Sequence, residues 1–273
     1  MGLALFVVVA CTAASLAQSP ATPSTPLAIG ETFTIQSKTL GEVRRINVYL
    51  PPQYSETATT RLPVLYMPDG GVAEDFIHVA GLVQVLTGND GMRPFILVGI
   101  ENTQRRRDLT GPTENAEDKK IAPKVGESAS FRTFIRNELM PEIKSRYRTT
   151  SETAIIGESL AGLFVVETLL VEPKLFDTYI AFDPSVWWND GALVKSAPAQ
   201  LRALGTLKKT LYIALSRDDR GDTGKAFAAV LNQSAPASLA WTVEPMPQET
   251  HASIYHPAAL QALRRLFAPP KAG

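Results

Sequence analysis

The segment Thr153–Glu172, with the sequence TAIIGESLAGLFVVETLLVE, limits the folds open to this chain more than any other segment. The strand-forming residues Ala154–Ile156 are followed by the turn Gly157–Ser159, and then by the apolar helical pattern of Leu160–Val171. Pro173 ends that pattern because proline cannot continue a helix. A buried strand joined to a buried helix by so short a turn predicts a layered α/β fold with a mainly parallel sheet.

The serine of this turn also has a chemical meaning. A tight turn pushes the Ser159 hydroxyl outward from the sheet edge, and the following helix directs its unpaired N–H groups toward it. This arrangement is the nucleophile elbow of the α/β-hydrolase fold, so we predict that Ser159 is a nucleophile. Ala161 stands where the motif usually has its last glycine, and Gly162 follows it. The alternative is a serine that caps an ordinary helix.

The rest of the pattern predicts one α/β-hydrolase domain over residues 30–268, with about eight strands and helices on both faces of the sheet. Besides the elbow strand, strands are predicted at Thr32–Lys38, Val43–Leu50, Leu62–Met67, Phe95–Ile100, Thr178–Phe182, Lys209–Leu215 and Leu239–Glu244, the first two antiparallel. Helices are predicted at Ala73–Leu86, Ser128–Tyr147 with a kink near Pro141, Leu160–Val171, Gly221–Asn232 and Pro257–Phe267. The polar stretch Glu101–Glu127 is too long for a simple connection, which indicates a functional loop or a partial lid.

Composition excludes some classes of function. The chain has 27 Lys and Arg residues against 27 Asp and Glu residues, so its charge does not favour binding to nucleic acid. The nucleotide-binding pattern G-x-x-x-x-G-K-[ST] is absent from the sequence.

The N-terminus reads as an export signal. Leu3–Ala14 is almost wholly apolar but too short to span a bilayer, and the small residues of Ser15–Ala17 suit cleavage after Ala17. We therefore predict a signal peptide over residues 1–17, a flexible leader over residues 18–29, and a secreted or periplasmic protein. Cys11, the single cysteine, offers an alternative, because Val8–Cys11 resembles the lipobox of a lipid-anchored protein.

A serine nucleophile needs a base, and the sequence contains three histidines. His78 falls in a predicted helix near the wrong end of the chain. His251 and His256 both lie between the last strand and the last helix, where α/β-hydrolases carry the base. We favour His251 because it lies in the loop itself, whereas His256 precedes Pro257 and opens the helix.

The acid that orients the base is expected after the strand Lys209–Leu215. Asp219 is the first choice in that loop and Asp218 the alternative, whereas Asp222 suits a helix cap. Asp183, which follows the preceding strand, is an outside candidate. The order Ser159, Asp219, His251 agrees with the chain order of the α/β-hydrolase triad.

An oxyanion hole needs two N–H donors. We expect one from Leu160, directly after the nucleophile, and the other from Gly71 in the loop after the third strand, with Gly70 as the alternative. Glycine at this point lets the backbone approach the substrate carbonyl. No metal site is predicted, because His251 and His256 do not have the spacing of zinc ligands.

Five segments together resemble one group of proteins: Arg61–Gly70, Arg106–Thr113, Ile156–Phe164, Phe176–Trp188 and His251–Pro257. They are similar to the enterochelin-esterase-like esterases, α/β-hydrolases related to esterase D and the antigen 85 proteins. The resemblance covers about residues 30–268, and the Pro-Ser-x-Trp-Trp block is its most specific part. It implies carboxylic ester hydrolysis without a metal or an organic cofactor, and it supports Ser159 and His251. It supports the acid less firmly, because the family often has Glu in this turn and some members use a Ser–His dyad.

Three further residues are candidates for contacting the substrate. Trp187 and Trp188 follow a strand end, where aromatic side chains would wall a pocket, although core packing explains them equally well. Arg107, in the run Arg105–Arg107, would bind an acidic or catecholate substrate, although such runs are more often solvated and Asp108 offers a partner.

The leading hypothesis is a serine carboxylic ester hydrolase that works through an acyl-enzyme on a small-molecule ester. The alternatives are a siderophore esterase acting on an enterobactin-type trilactone, an acyltransferase on the same scaffold, and a non-catalytic binding protein. The intact set of Ser, Asp and His argues against the last of these.

Overall fold

The computed structural model describes residues 24–270. The predicted signal peptide, its cleavage site and Cys11 lie outside the described residues. Of the predicted leader, residues 24–29 are irregular and exposed. In residues 24–270 no helix is long and apolar enough to cross a membrane.

Within that range, eight strands form one sheet in the order β1-β2-β4-β3-β5-β6-β7-β8. The strands are β1 Glu31–Ser37, β2 Glu42–Tyr49, β3 Leu62–Pro68, β4 Ile96–Ile100, β5 Thr149–Glu158, β6 Thr178–Phe182, β7 Lys209–Ser216 and β8 Leu239–Met246. Strand β2 pairs antiparallel with β1 and β4, and all other pairs are parallel. The predicted α/β-hydrolase fold class, with a mostly parallel sheet of about eight strands, is confirmed.

The helices lie on both faces of the sheet. They are α1 Phe76–Gly88, α2 Arg105–Leu109, α3 Ala116–Lys120, α4 Ser128–Phe134, α5 Met140–Arg146, α6 Leu160–Val171, α7 Trp188–Ala203, α8 Thr223–Ser234 and α9 Tyr255–Leu266. One apolar core, which includes Phe131, Phe164 and Phe227, lies under α4 to α8. The other, which includes Val83 and Leu263, lies under α1 and α9. Burial on both faces explains why the central strands read as continuous apolar runs.

The long helix predicted before the elbow is interrupted in its middle. A π-helical turn, Ile135–Leu139, joins α4 to α5, and Pro141 stands in the first turn of α5. Proline has no N–H to donate to the preceding turn, so the widened turn just before it accommodates the missing hydrogen bond. The kink expected near Pro141 is therefore present as this π-helical turn.

Helix α7 was not predicted. Asn189–Gly191 in its first turn have positive φ angles, and Pro198 lies inside the helix. The segment Asn189–Gly191 and Pro198 both interrupt the helical pattern of the sequence. Two hydrogen bonds hold the start of this helix in place. The Trp188 indole N–H donates to the Gly111 carbonyl at 2.8 Å, and the backbone N–H of Asn189 donates to the Asp118 carboxylate at 2.8 Å.

The same contacts anchor the irregular stretch Glu101–Glu127, which contains α2 and α3. The carboxylate of Asp108 is fully buried and accepts hydrogen bonds from Arg44 and Arg107. This stretch is therefore attached to strand β2 and to α7 by buried polar groups rather than lying free over the surface.

Candidate active site

Ser159 occupies the turn between β5 and α6 in a strained backbone conformation, with φ 60° and ψ −118°. A serine adopts such angles only where its surroundings enforce them. The Ser159 amide donates to the Phe182 carbonyl at 3.0 Å, and the Ser159 carbonyl accepts from Ser185 at 3.0 Å and from Leu163 at 2.9 Å. The backbone of the elbow is thus held by β6, by the loop after β6 and by the first turn of α6.

Small residues make this close approach of strand and helix possible. A Cβ atom added to Gly157 would lie 2.7 Å from the Cβ of Ala161, and one added to Gly162 would lie 3.0 Å from the carbonyl oxygen of Phe182. Ala161 itself is fully buried. The alanine in place of the usual glycine is accommodated, because the missing side chain of Gly157 leaves the space that it fills.

His251, in the loop between β8 and α9, reaches the Ser159 side chain. Its Nε2 atom lies 3.1 Å from the Ser159 Oγ atom, and its Nδ1 atom lies 3.3 Å from an Asp183 carboxylate oxygen. These distances suit a chain of hydrogen bonds from serine through imidazole to carboxylate. His256 lies instead on α9, with its ring 5.6 Å from that of His78.

Asp183 follows β6, and its carboxylate is fixed in the position that contacts His251. Its side chain is only 6% exposed, its φ is 39°, and it accepts a hydrogen bond of 2.6 Å from the Ser216 amide and another from the Ser216 hydroxyl. Burial alone would raise the pKa of Asp183, but hydrogen bonds from His251 and Ser216 outweigh it and lower the pKa. In turn, the hydrogen bond to Asp183 raises the pKa of His251 above its ordinary value of 6.5.

The structure does not bring Asp219, the expected acid, to the histidine. Both Asp219 carboxylate oxygens accept backbone N–H groups at the start of α8, from Gly224 at 2.8 Å and from Lys225 at 2.9 Å. The alternative, Asp218, accepts the backbone N–H of His251 at 3.0 Å and so holds the loop rather than the ring. Asp222 has a left-handed φ of 53° at the N-cap of α8 and makes no side-chain cap bond.

Strand register explains this placement. Glu158 at the end of β5 is paired with Phe182 at the end of β6, so Ser159 and Asp183 leave neighbouring strand ends side by side. Phe182 is paired in turn with Ala214 in β7, five positions before Asp219. The sequence signal that would have favoured Asp183 is its position directly after a buried strand next to the elbow strand.

The two glycines expected at the oxyanion hole are already hydrogen-bonded. The Gly71 amide donates to the Glu74 carboxylate at 2.6 Å, and the Gly70 amide donates to the Ile100 carbonyl at 3.0 Å. Leu160 is the first residue of α6, so its N–H has no partner within the helix. Sequence reasoning missed Ser185, whose buried hydroxyl lies 3.5 Å from the Ser159 Oγ atom.

A cavity of about 310 Å³ opens beside Ser159 and is lined in part by Trp187, Leu215 and Arg220. The Arg220 guanidinium lies over the Trp187 ring at 4.1 Å, which is a cation–π contact. Arg220 was not predicted. Trp187 thus lines the cavity, as one reading of the sequence expected. Trp188 is only 4% exposed and packs in the core, as the other reading expected.

Arg107, expected to contact substrate, is buried in an ion-pair cluster. It donates to Glu42 at 2.7 and 3.1 Å and to Asp108 at 2.7 Å. The hydrogen bonds that Arg107 donates to Glu42 and Asp108 raise its pKa further, although burial opposes this. The prediction for Arg107 is wrong in placement, because these carboxylates satisfy its donors. Arg105 instead points toward the elbow and donates two hydrogen bonds of 2.7 Å to Asp69.

In the part of the chain that the structure describes, no group of three or more His, Cys, Asp or Glu side chains is arranged to hold a metal ion.

Comparison with known proteins identifies the family. The family model described as "Putative esterase" matches residues 37–252. Among curated proteins, the chain is 30% identical over 171 residues to the ferri-bacillibactin esterase BesA of Bacillus subtilis, which covers 56% of this chain and 58% of BesA. It is 31% identical over 193 residues to a siderophore triacetylfusarinine C esterase of Aspergillus fumigatus, which covers 64% of this chain and 62% of that enzyme.

Among solved structures, an IroE-like serine hydrolase from Shewanella oneidensis superposes with a TM-score of 0.80 at 28% identity, over 87% of this chain and 80% of that one. The aligned segments span only about three fifths of each curated relative, 58% and 62%. The family model, by contrast, extends from the end of β1 to the histidine of the β8–α9 loop and so includes every side chain of the cluster around Ser159. The resemblance seen in the sequence is confirmed: the protein belongs to this esterase family, within the α/β-hydrolase superfamily.

Proposed function

We propose that this protein is a serine carboxylic ester hydrolase in which Ser159 is the nucleophile, His251 the base and Asp183 the acid that orients the base. The observation that carries the proposal is the continuous set of contacts from Ser159 Oγ to His251 Nε2 at 3.1 Å and from His251 Nδ1 to Asp183 at 3.3 Å. Asp183 replaces Asp219 in this role, because Asp219 caps α8.

The reaction follows from these contacts. Ser159 Oγ attacks the ester carbonyl while His251 Nε2 takes the hydroxyl proton, and Asp183 stabilises the imidazolium so formed. His251 then gives this proton to the leaving alcohol, which leaves an acyl group on Ser159. A water molecule, activated by the same imidazole, attacks the acyl-enzyme and releases the acid.

The oxyanion formed in both steps needs hydrogen-bond donors. The N–H of Leu160 at the start of α6 supplies one. Gly71 becomes the second donor only when Glu74 releases its amide, because that hydrogen bond is made at 2.6 Å in the present structure.

The test of the activity uses purified protein and p-nitrophenyl esters of short acids. We expect turnover by the wild type and none above background for Ser159→Ala or His251→Ala, with unchanged circular dichroism. Full activity of Ser159→Ala would contradict the assignment. A folded wild type without any ester turnover would favour a binding protein, and transfer of the acyl group to an added alcohol in preference to water would favour an acyltransferase.

We propose siderophore esters as the second candidate substrate class. The support is that two relatives are named as siderophore esterases. The cation–π pair of Arg220 and Trp187 on the cavity wall also suits an aromatic group with negative charge. Chromatography of a catecholate trilactone incubated with the enzyme, with and without iron, tests this proposal. Hydrolysis of p-nitrophenyl esters alone would contradict it.

We further propose export to the periplasm or the medium, for which residues 1–17 are the predicted signal peptide. N-terminal sequencing of the mature protein should begin at Gln18. Incorporation of a labelled fatty acid at Cys11 would support the lipid-anchored alternative instead.

A further inference from the structure

Glu158 is the last residue of β5, directly before the nucleophile, and the reaction as described does not use it. Its side chain is 18% exposed, and its carboxylate lies 3.8 Å from the Nε2 atom of His251. The same nitrogen lies 3.1 Å from the Ser159 Oγ atom. One imidazole nitrogen therefore faces both the nucleophile and a second carboxylate, while the other nitrogen faces Asp183.

The groups around Glu158 come from several elements. Asp75 lies at the start of α1, Arg105 in α2, Asp183 after β6 and His251 in the β8–α9 loop, and each affects the charge on Glu158. The buried hydroxyl of Tyr255, in α9, also lies within range of that charge.

These neighbours leave His251 as the partner of Glu158. Arg105 is the nearest permanent cation, but two hydrogen bonds of 2.7 Å commit it to Asp69. No hydrogen bond to the Glu158 carboxylate occurs among the residues that the structure describes. The cation that this carboxylate can pair with is therefore the imidazolium of His251.

We propose that Glu158 is a positioning residue that acts through His251, and that its ionised carboxylate stabilises the imidazolium formed when Ser159 gives up its proton. The inference rests on the proposed function. Before the attack, the lone pair on neutral Nε2 faces the Ser159 hydroxyl, and the negative charge of Glu158 lies beside it. After the attack, the O–H bond is broken, the proton is on Nε2, and the same charge faces a cation. Glu158 exchanges no proton in this step.

This arrangement has a consequence for pH dependence. A carboxylate beside Nε2 favours protonated His251, so the enzyme needs a higher pH before the imidazole is free to act as a base. Burial raises the pKa of Glu158 to about 7, so its charge changes in the range where His251 also titrates. Removing the charge should therefore move the acid limb of the pH profile to lower pH and at the same time lower the plateau rate.

The test compares Glu158→Gln with the wild type over about pH 5 to 9. We expect the plateau of kcat/KM to fall about tenfold and the acid limb to move down by about one pH unit, as loss of one pKa unit of interaction gives. Glu158→Asp keeps the charge but withdraws it by one methylene. Its plateau and its acid limb should lie between those of the wild type and Glu158→Gln. Glu142→Gln removes an exposed carboxylate that pairs with Arg146 on α5 and should change neither quantity.

A second readout does not depend on activity. The imidazole resonances of His251, assigned by comparison with His251→Ala, are titrated by NMR in the wild type and in Glu158→Gln. We expect a lower pKa of His251 in the variant. An unchanged titration overturns the inference even if the rate falls, because the effect on rate would then be structural.

The two proposals can fail separately. If the wild type hydrolyses no ester, the proposed function falls, whereas the NMR titration still reports whether Glu158 acts on His251. If Ser159→Ala is inactive but Glu158→Gln resembles the wild type in rate, pH profile and titration, the proposed function stands and the role of Glu158 is excluded.

Discussion

At the scale of single residues, the proposed catalysis depends on which carboxylate faces the His251 ring. Asp183 lies 3.3 Å from Nδ1 and is itself fixed by two hydrogen bonds from Ser216. Asp218 holds the backbone of the same histidine, and Asp219 holds the start of α8. The three aspartates are close in space but do three different things.

Replacing the acid should separate these roles. We expect Asp183→Asn to lower kcat about a hundredfold or more, because the amide no longer stabilises the imidazolium and can favour the wrong tautomer. Asp219→Asn should leave kcat nearly unchanged and cost less than about 1 kcal/mol of stability, because asparagine also caps helices but accepts only one of the two N–H groups. Steady-state kinetics and thermal unfolding measure both, and a larger loss of kcat in Asp219→Asn than in Asp183→Asn would restore the original prediction.

The pH dependence of the wild type follows from the same contact. The hydrogen bond to Asp183 raises the pKa of His251 above 6.5, and only neutral His251 can accept the proton of Ser159. Activity should therefore rise with pH through a midpoint above 6.5. In Asp183→Asn this midpoint should move to lower pH. A wild-type midpoint near or below that of the variant would argue against the contact.

Ser159 and His251 could be predicted from sequence because each has a local signature. The proposed nucleophile lies between a strand pattern and a helix pattern, and the proposed base lies in the last loop before the last helix. The signal for the acid is weaker, since Asp183 follows a buried strand but the neighbouring strand end carries aspartates too. Which of them meets the imidazole depends on the register of β5, β6 and β7 and on the path of the β8–α9 loop, and neither is encoded near Asp183.

At the scale of secondary structure elements, the elbow depends on the close approach of β5 to α6. The strands and most helices were predicted to within a few residues, because their apolar patterns reflect burial on the two faces of the sheet. Helix α7 was not, because tertiary hydrogen bonds determine its start. The interruption near Pro141 was expected as a kink, and only its π-helical form was not. Arg107 was misjudged for a similar reason: its partner Glu42 lies far away in sequence.

The packing of the elbow can be tested with one methyl group. Gly157→Ala would place its Cβ 2.7 Å from that of Ala161, so we expect a loss of about 1–3 kcal/mol of stability, as overpacking causes. Activity should fall too, since the shift displaces Ser159. Gly81→Ala in α1 is the control: its Cβ meets nothing within 4 Å, and the change should stabilise the helix by about 0.5–1 kcal/mol. Equal stability of the two variants in urea unfolding would refute this reading of the elbow.

At the scale of the whole molecule, a buried ionic cluster attaches the first strands to the irregular stretch after β4. Glu42 and Arg44 in β2 meet Arg107 and Asp108 in α2, and the Arg44 guanidinium lies over the ring of Phe131 at 5.1 Å. Burying such a cluster costs desolvation energy. Removing one partner would also leave an uncompensated buried charge. The cluster links β2 to the segment that includes Arg105, whose side chain is hydrogen-bonded to Asp69 after β3.

This cluster should make stability sensitive to acid. Burial acts to raise the pKa of Glu42, but hydrogen bonds from Arg107, Thr103 and Arg44 outweigh it and lower the pKa from 4.5 to about 2. The resulting stability is present above about pH 4.5 and is lost as pH falls toward 2. The difference in unfolding free energy between wild type and Glu42→Gln should shrink over that range. Glu117, an exposed carboxylate that pairs with Lys120, provides the control, since Glu117→Gln should show no such trend.

We propose that Ser159 is a nucleophile activated by His251, which Asp183 orients. Labelling the purified protein with a fluorophosphonate, followed by peptide mass mapping, tests this most directly. We expect one modified peptide, containing Ser159, with labelling abolished in Ser159→Ala and His251→Ala, slowed in Asp183→Asn and unchanged in Asp219→Asn. Absence of labelling in well-folded wild-type protein, or a label on another serine, would contradict the account.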